Sequence, residues 1–407
     1  MSEWIKAEEY CVSVFDGTHD TPKVTETGYK LVTSKNILSN TLDLNSAYFI
    51  SEEDFVNINK RSKVKQYDIL FSMIGTVGSL YFETSDTIDY AIKNIGVFSC
   101  GDKEKAEWLY YYLQSSYARQ YIKRYLNGAV QKFLPLKGLR EFPVPQFNKE
   151  LHNRIKILLN IDQKIQINNQ INQELEAMAK TLYDYWFVQF DFPDQNGNPY
   201  KSSGGKMVYN PELKREIPEG WGVEKLGDIS QYVSEKVGSS ELNKENYVGT
   251  DNMIADMGGI ELTTSIPKSG TSTKFSVGDI LISNIRPYFK KIWLSDRTGG
   301  CSADVLCIRT NRIIYKEFVY ATLARDDFFN YDVAGSKGSK MPRGDKKHIM
   351  EYPIVFEFEI ADQFSKIVRP IYEAVHKNYN QNQELTQLRD WLLPMLMNGQ
   401  ARVEDKT

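Results

Sequence analysis

The sequence predicts an α+β fold in which two tandem α/β units are each followed by a long helix. Three observations carry this. NQINQELEAMAKTLYDYW (Asn169–Trp186) and NQNQELTQLRDWLLPML (Asn380–Leu396) share Asn-Gln-Glu-Leu at an offset of 210 residues. Asp-Ile-Leu occurs at Asp68–Leu70 and again at Asp279–Leu281, an offset of 211. LREFPVP (Leu139–Pro145) and IMEYPIV (Ile349–Val355) place Pro143 and Pro353 another 210 apart. A period of half the chain is a tandem duplication, and a repeat of this kind fixes the architecture before any single element is assigned.

The elements follow in order. A first unit over 1–147 holds VKQYDILFSMIGTVGSLYF (Val64–Phe82), two β-prone runs joined by a turn with Gly75 and Gly78. A long helix is expected over 148–189. FDFPDQNGNPYKSSGGKMVYNPELKREIPEGW, from Phe190 to Trp221, is dense in Gly, Pro, Ser and Asn, so 190–217 reads as a linker. The second unit, 218–357, repeats the strand pair as KFSVGDILISNIRPYFKKIWL (Lys274–Leu294), and GYKLVTSKNI (Gly28–Ile37) loosely matches NYVGTDNM (Asn246–Met253). A second long helix is expected over 358–400. Trp4 and Trp221 stand alone near the start of each copy.

Both helices carry an apolar stripe at heptad spacing. In the second it runs Phe364, Ile367, Ile371, Ala374, Asn378, Gln381, Leu385, Leu388, Leu392 and Met395. In the first it runs Leu158, Ile161, Ile165, Asn168, Ile171, Leu175, Met178, Leu182 and Tyr185, losing one residue of phase between Ile165 and Ile171. Asn168 and Asn378 fall mid-stripe in both copies, as a register-setting polar residue would. The matched pattern predicts that the helices pair as an antiparallel coiled coil about a pseudo-twofold axis. At 1.5 Å per residue, about 40 residues make a rod on the order of 60 Å with one unit at each end.

Composition bounds the chemistry. Of 407 residues, 41% are apolar, enough for ordinary cores, and no run of about 18 apolar residues could span a membrane. Cys11, Cys100, Cys301 and Cys307 form no C-x-x-C pair, so free thiols in a reducing, cytoplasmic setting are expected. A net charge of −3 gives no global signal for nucleic acid, which leaves local patches to decide. Phosphate-loop spacing is absent, and SSGGKM (Ser202–Met207) follows no expected strand. Asp194 with Glu212 and Lys214 mimics a metal-nuclease pattern, and Asn198-Pro199-Tyr200 mimics part of an adenine methyltransferase box. Both lie in the linker. A self-sufficient nuclease or methyltransferase is therefore an alternative reading, as is an interaction protein that does not bind DNA.

Each unit places a Gly- and Lys-rich segment before its helix. AGSKGSKMPRGDKKH supplies Lys337, Lys340, Arg343 and Lys346, and NGAVQKFLPLKGLR supplies Gln131 and Lys132. Interleaved cations and small residues suit a phosphate backbone. Base edges are read by Arg on guanine and by Asn or Gln on adenine, which singles out Gln131, Asn284 and Arg286. The turn holding Asn284 and Arg286 corresponds to Met73–Thr76, so Thr76 joins the candidates. Equal scaffolds with unequal loop tips suit two readers of two different sequences.

Taken together, FDGTHDTPKVTETGYKLVTSKNI, GDILISNIRP, GSKMPRGD, LREFPVP, NQELEAMAKTLYDYWFVQFDFP and IPEGWGVEKLGDI resemble the specificity subunit of type I restriction–modification enzymes over nearly the whole chain. The resemblance implies two target recognition domains, each reading one half of a bipartite double-stranded DNA site. His19, Thr21, Lys23 and Lys35 in the first of these stretches become candidate DNA contacts. It also implies a helical spacer, seamed by Ile161, Ile165, Asn168, Leu175 and Leu182 against Ile371, Asn378, Leu385, Leu388 and Leu392. The expected partners are methyltransferase subunits, two of them, and restriction subunits. S-adenosylmethionine, ATP and Mg would be bound by those partners, and neither a catalytic site nor a metal by this chain.

Overall fold

The computed structural model describes residues 4–38, 40–126, 133–338, 340–398 and 400–401. The chain mixes helix and sheet and divides into two compact units. One gathers 1–164 with 385–407, the other 165–384. The expected helix and unit boundaries thus do not separate helix from globule, because each long helix contributes residues to both units.

In the first unit, a four-stranded antiparallel sheet orders Ser13–Asp16, Ile95–Ser99, Ile69–Ser72 and Leu80–Phe82. The second unit repeats it with Ser230–Tyr232, Val305–Thr310, Ile280–Ser283 and Ile292–Leu294. The repeated Asp-Ile-Leu has a physical cause. Asp68 accepts a hydrogen bond from the Lys65 N–H at 2.8 Å, and Asp279 accepts one from Ser276 at 2.7 Å. The residue before each is left-handed, Tyr67 at φ 67° and Gly278 at φ 90°. A buried carboxylate thus closes the turn that feeds each central strand, and ILFS and ILIS are wholly buried because both sheet faces are covered.

Around this frame the copies diverge. The first unit adds a three-stranded sheet, Tyr48–Ile50, Tyr29–Thr33 and Tyr90–Lys93. The second adds four strands, Lys236–Gly238, Thr271–Phe275, Gly299–Cys301 and Tyr247–Val248. What they share is one parallel pair and a buried asparagine beyond it. Asn36 accepts from the Thr33 N–H and Asn252 from the Gly249 N–H.

The segment expected as an open linker is built structure. Met207–Asn210 and Arg215–Pro218 pair as a hairpin, and Phe190, Phe192 and Ile217 are buried in the second unit's core. The Phe192 ring stacks with Tyr200 at 4.7 Å and with Trp221 at 4.9 Å. Aromatic burial outweighs the turn-rich composition here.

The helices are Lys149–Tyr183, prolonged by a π-helical turn over Asp184–Val188, and Phe358–Met397. In the first unit, Ile155 and Leu158 share a core with Leu393 and Leu396, and the Arg389 guanidinium meets Asp162 at 2.9 Å. In the second, Asn168 donates to Asn382 and Asn378 donates to Asn172, each at 2.8 Å. The partner number falls as the other rises, so the helices run in opposite directions along this stretch. Asn168 and Asn378 stand 210 apart, as do Asn172 and Asn382, which makes the two bonds copies of each other. Asn382 also donates to Asn169, and Asn168 to Gln381.

These contacts correct the stripe. The first helix has no loss of phase. Ile161, Asn168, Leu175 and Leu182 continue at sevens, and the other track is Ile165, Asn172, Ala179 and Trp186. Ile171, Met178 and Tyr185 are exposed. In the second helix, Ile371, Asn378, Leu385 and Leu392 are partly buried, but the facing track is Val368, Val375, Asn382, Arg389 and Leu396. Ile367 and Leu388 are exposed. The fully buried asparagines are Asn168, Asn172 and Asn382, with Asn378 half-buried. Apolar spacing alone selects outer-face residues such as Ile171 and Met178 over the polar Asn172 on the inner face.

Candidate nucleic-acid interface

In the first unit, a groove of about 750 Å³ is lined by Thr18–Lys23 and by Asp54, Asn57 and Arg61. The helix Glu52–Ser62, started by Ser51 accepting from the Asp54 N–H, carries Arg61 on its last turn. His19 bridges Asn94 at 2.7 Å and Asp16 at 3.0 Å, and Arg61 stands 3.6 Å from the same Asp16. Thr21 accepts from Lys93, and Lys23 is exposed. Three of the expected residues, His19, Thr21 and Lys23, therefore meet here. Arg61 and Asn57 were missed, because a helical Arg 40 residues downstream gives no local signal. Lys35 is exposed in the turn Ser34–Asn36 and does not line this groove; Thr76 is exposed on its own turn. Gln131 and Lys132 lie outside the described residues.

In the second unit, the two expected segments are stitched together. Ile285 bridges Arg343, Lys337 pairs with Arg343 through two backbone bonds of 3.0 Å, and the Arg286 N–H donates to Pro342 at 2.8 Å. Asn284, Arg286, Lys337 and Arg343 thus converge, with Lys346 at the start of the adjoining helix Lys346–Met350. Asp345 caps that helix by accepting from Lys347 and His348, and holds Lys337 at 2.6 Å. The lysine and the two N–H donors bring its carboxyl down to about 2. The Arg343 guanidinium meets Asp304 at 3.1 Å, and Lys340 is exposed. Lys346 lies 5.8 Å over the Tyr232 ring. Tyr288 and Phe289, exposed on the same turn, add aromatic faces that the sequence reading did not single out.

Arg286 is left-handed, at φ 51° and ψ 64°, a conformation that costs a side-chain-bearing residue on the order of 1–2 kcal/mol. In the first unit the corresponding residue is Gly75, at φ 76°. The surrounding frame is the same. Ile74 bridges Phe133 as Ile285 bridges Arg343, and the Leu134 N–H donates to Met73 as the Gly344 N–H donates to Asn284. An arginine therefore occupies a backbone position built for glycine. Asn284 sits low in the loop: it is 9% exposed and its amide oxygen is buried without a partner.

The enzyme decoys have structural roles. Asp194 closes a turn by accepting from Asn196 and Asn198, each at 2.8 Å, and Tyr200 stacks on Phe192. Among the described residues, no group of three or more His, Cys, Asp or Glu could hold a metal ion. The four cysteines are free and buried, and no described helix is long and apolar enough to cross a membrane.

The two units thus present unlike loop tips on one repeated α/β frame. Residues 20–177 match the family model of the type I restriction modification DNA specificity domain. Over a wider span the chain is similar to type I restriction enzyme specificity subunits. It is 27% identical to the MjaIX specificity subunit of Methanocaldococcus jannaschii, over 74% of this chain and 70% of that one. To the HindI specificity subunit of Haemophilus influenzae it is 23% identical, over 84% and 88%. Among solved structures, it is similar to the type I restriction-modification S subunit from M. genitalium. There the identity is 14% and the TM-score 0.49, with 97% of this chain and 96% of that one covered.

Proposed function

We propose that this chain is the DNA specificity subunit of a type I restriction–modification system. In this reading its two units each read one half of a bipartite duplex, and the chain catalyses nothing itself. The observation that carries the reading is the equivalence of Gly75 and Arg286, one backbone frame presenting two different tips. The first unit offers His19, Thr21, Lys23 and Arg61. The second offers Arg286, Arg343, Lys340 and Lys346, with Tyr288 and Phe289 beside them. Cations hold phosphates and Arg reads guanine.

The long helices serve as an antiparallel coiled-coil spacer with pseudo-twofold symmetry, a role supported by the copied Asn168–Asn382 and Asn172–Asn378 bonds. Their outer faces carry matched exposed apolar residues, Ile157 with Ile367 and Met178 with Leu388, each pair 210 apart. Two equivalent apolar surfaces suit two copies of one partner, the methyltransferase subunit, which would bring S-adenosylmethionine. Restriction subunits would bring ATP and Mg chemistry. Such a complex works on DNA in the cytoplasm.

The test is reconstitution. Chain plus methyltransferase partner should methylate one bipartite sequence, with salt-sensitive binding favouring it over scrambled duplex by at least about 1000-fold. Nuclease or methyltransferase activity from the chain alone would overturn the reading.

A further inference from the structure

Beneath the loop tips the two units differ in kind. In the first, the layer is Met73, Ile122 and Leu134, all buried and apolar. The corresponding residues of the second are Asn284, Asp332 and Gly344. Asp332 is wholly buried, and neither of its carboxylate oxygens has a hydrogen-bond partner. The Asn284 amide oxygen is equally unpartnered. Both acceptors face Gly344. A Cβ there would lie 2.4 Å from the Asp332 oxygen and 2.9 Å from the Asn284 oxygen, with Ile349 at 3.1 Å closing the apolar side. Two polar side chains and a glycine replace an apolar trio within an unchanged backbone frame, and the acceptors they bury have no donor. Buried acceptors that oppose each other are costly, so a donor is required.

That donor is already present. The oxygen and nitrogen of a side-chain amide exchange places by a half-turn, and the hydrogen-bond network decides between them. We infer that Asn284 turns its NH₂ inward to the Asp332 carboxylate and so presents its oxygen on the loop side, where it selects a base that offers an amino group. Asp332 is then a positioning residue. An ionised carboxylate only accepts, so it permits one orientation of the amide. In the major groove, adenine N6 and cytosine N4 donate, whereas guanine O6 and thymine O4 accept. The loop would prefer adenine or cytosine at one position of the half-site read by the second unit. This specificity rests on the function proposed above; the orientation of the amide does not.

The carboxyl gives a readout free of DNA. With the amide oxygen inward, burial pushes Asp332 up to about 6, opposed by His348. Tyr232 is a further ionisable group near it, and Asp345 lies near Tyr232 in turn. An inward NH₂ stabilises the charged form, so the carboxyl midpoint, followed by NMR in the whole chain, should lie lower in wild type than in N284A. Target sites selected by the reconstituted complex should show at least a tenfold preference for A or C over G or T at one position. D332N, whose amide accepts and donates alike, should erase that preference and leave the other half-site unchanged. N284S, a smaller change, should erase it too.

Three results would overturn the inference: a wild-type midpoint no lower than that of N284A, a preference retained in D332N, or a preference for G or T. If the wild-type complex selects no sequence at all, the proposed function falls along with the base preference, while the titration still decides how the amide is turned.

Discussion

Asn168 is fully buried and its amide oxygen has no partner, while its NH₂ donates to both Gln381 and Asn382. Replacing Asn382 with Leu removes an acceptor from a buried donor and a donor from Asn169. The Gln381 bond remains and Asn169 is exposed to water, so the cost is about 1–2 kcal/mol. Replacing Asn168 and Asn382 together with Leu removes every stranded polar atom of the pair, including the oxygen already unsatisfied. That double change should stabilise the helix pair by about 1–3 kcal/mol relative to wild type, because a polar residue in an apolar seam costs stability while fixing register. The two-unit chain is not a two-state system, so the proper assay is native-state hydrogen exchange of helix amides in 165–180 and 370–384. A double variant that opens more easily than either single variant would refute the argument that these asparagines trade stability for register.

Four further outcomes follow from the geometry. R286G should relieve left-handed strain and raise local stability by about 1 kcal/mol, yet weaken discrimination at one base of one half-site by about 1–3 kcal/mol, read by binding competition. G344A should destabilise the second unit by about 1–3 kcal/mol, since its Cβ would collide with the Asp332 carboxylate; protease susceptibility of that unit reports it. Inserting one heptad into both helices should lengthen the unread spacer by about 3 base pairs, because seven residues add about 10 Å. Unchanged spacing would sink the spacer role proposed for the helices, and changed half-site sequences would show that the units had been disturbed. Asp345 titrates lower folded than unfolded, so its clasp on Lys337 and the helix cap is present above the ordinary value of 3.8 and lost as pH falls through about 2. Amide exchange at Lys347 and His348 should rise over that window, and Asp345→Ala should produce the same opening at neutral pH.

The duplication was legible because it left strings, Asp-Ile-Leu and Asn-Gln-Glu-Leu, at one offset. The seam was less so. Periodicity counts apolar residues, and these helices have two apolar faces. Ile171, Met178 and Leu388 outweighed Asn172, Asn382 and Arg389, although the polar residues face inward. The linker misled by composition, since Phe190, Phe192 and Trp221 pack while the Gly and Pro residues between them turn. On the second interface, the convergence of Arg286 with Arg343 was visible only as two motifs. Their joining depends on a bridge between residues more than 50 positions apart. Asp332 gave no signal, because its significance lies in what fails to surround it.

The membership of the two cores has a consequence for synthesis. Leu393 and Leu396 are buried with Ala7, Ile69 and Trp108 in the core of the first unit. A ribosome makes that unit's strands first and its closing residues some 235 positions after Leu158 of the same core. Until Leu396 has left the exit tunnel, the N-terminal core has an apolar face with nothing on it. The first unit to be translated is therefore the last to be completed. A released chain truncated before Leu393 would hold every buried residue of the second core but not of the first, and that exposed face is where a chaperone would act.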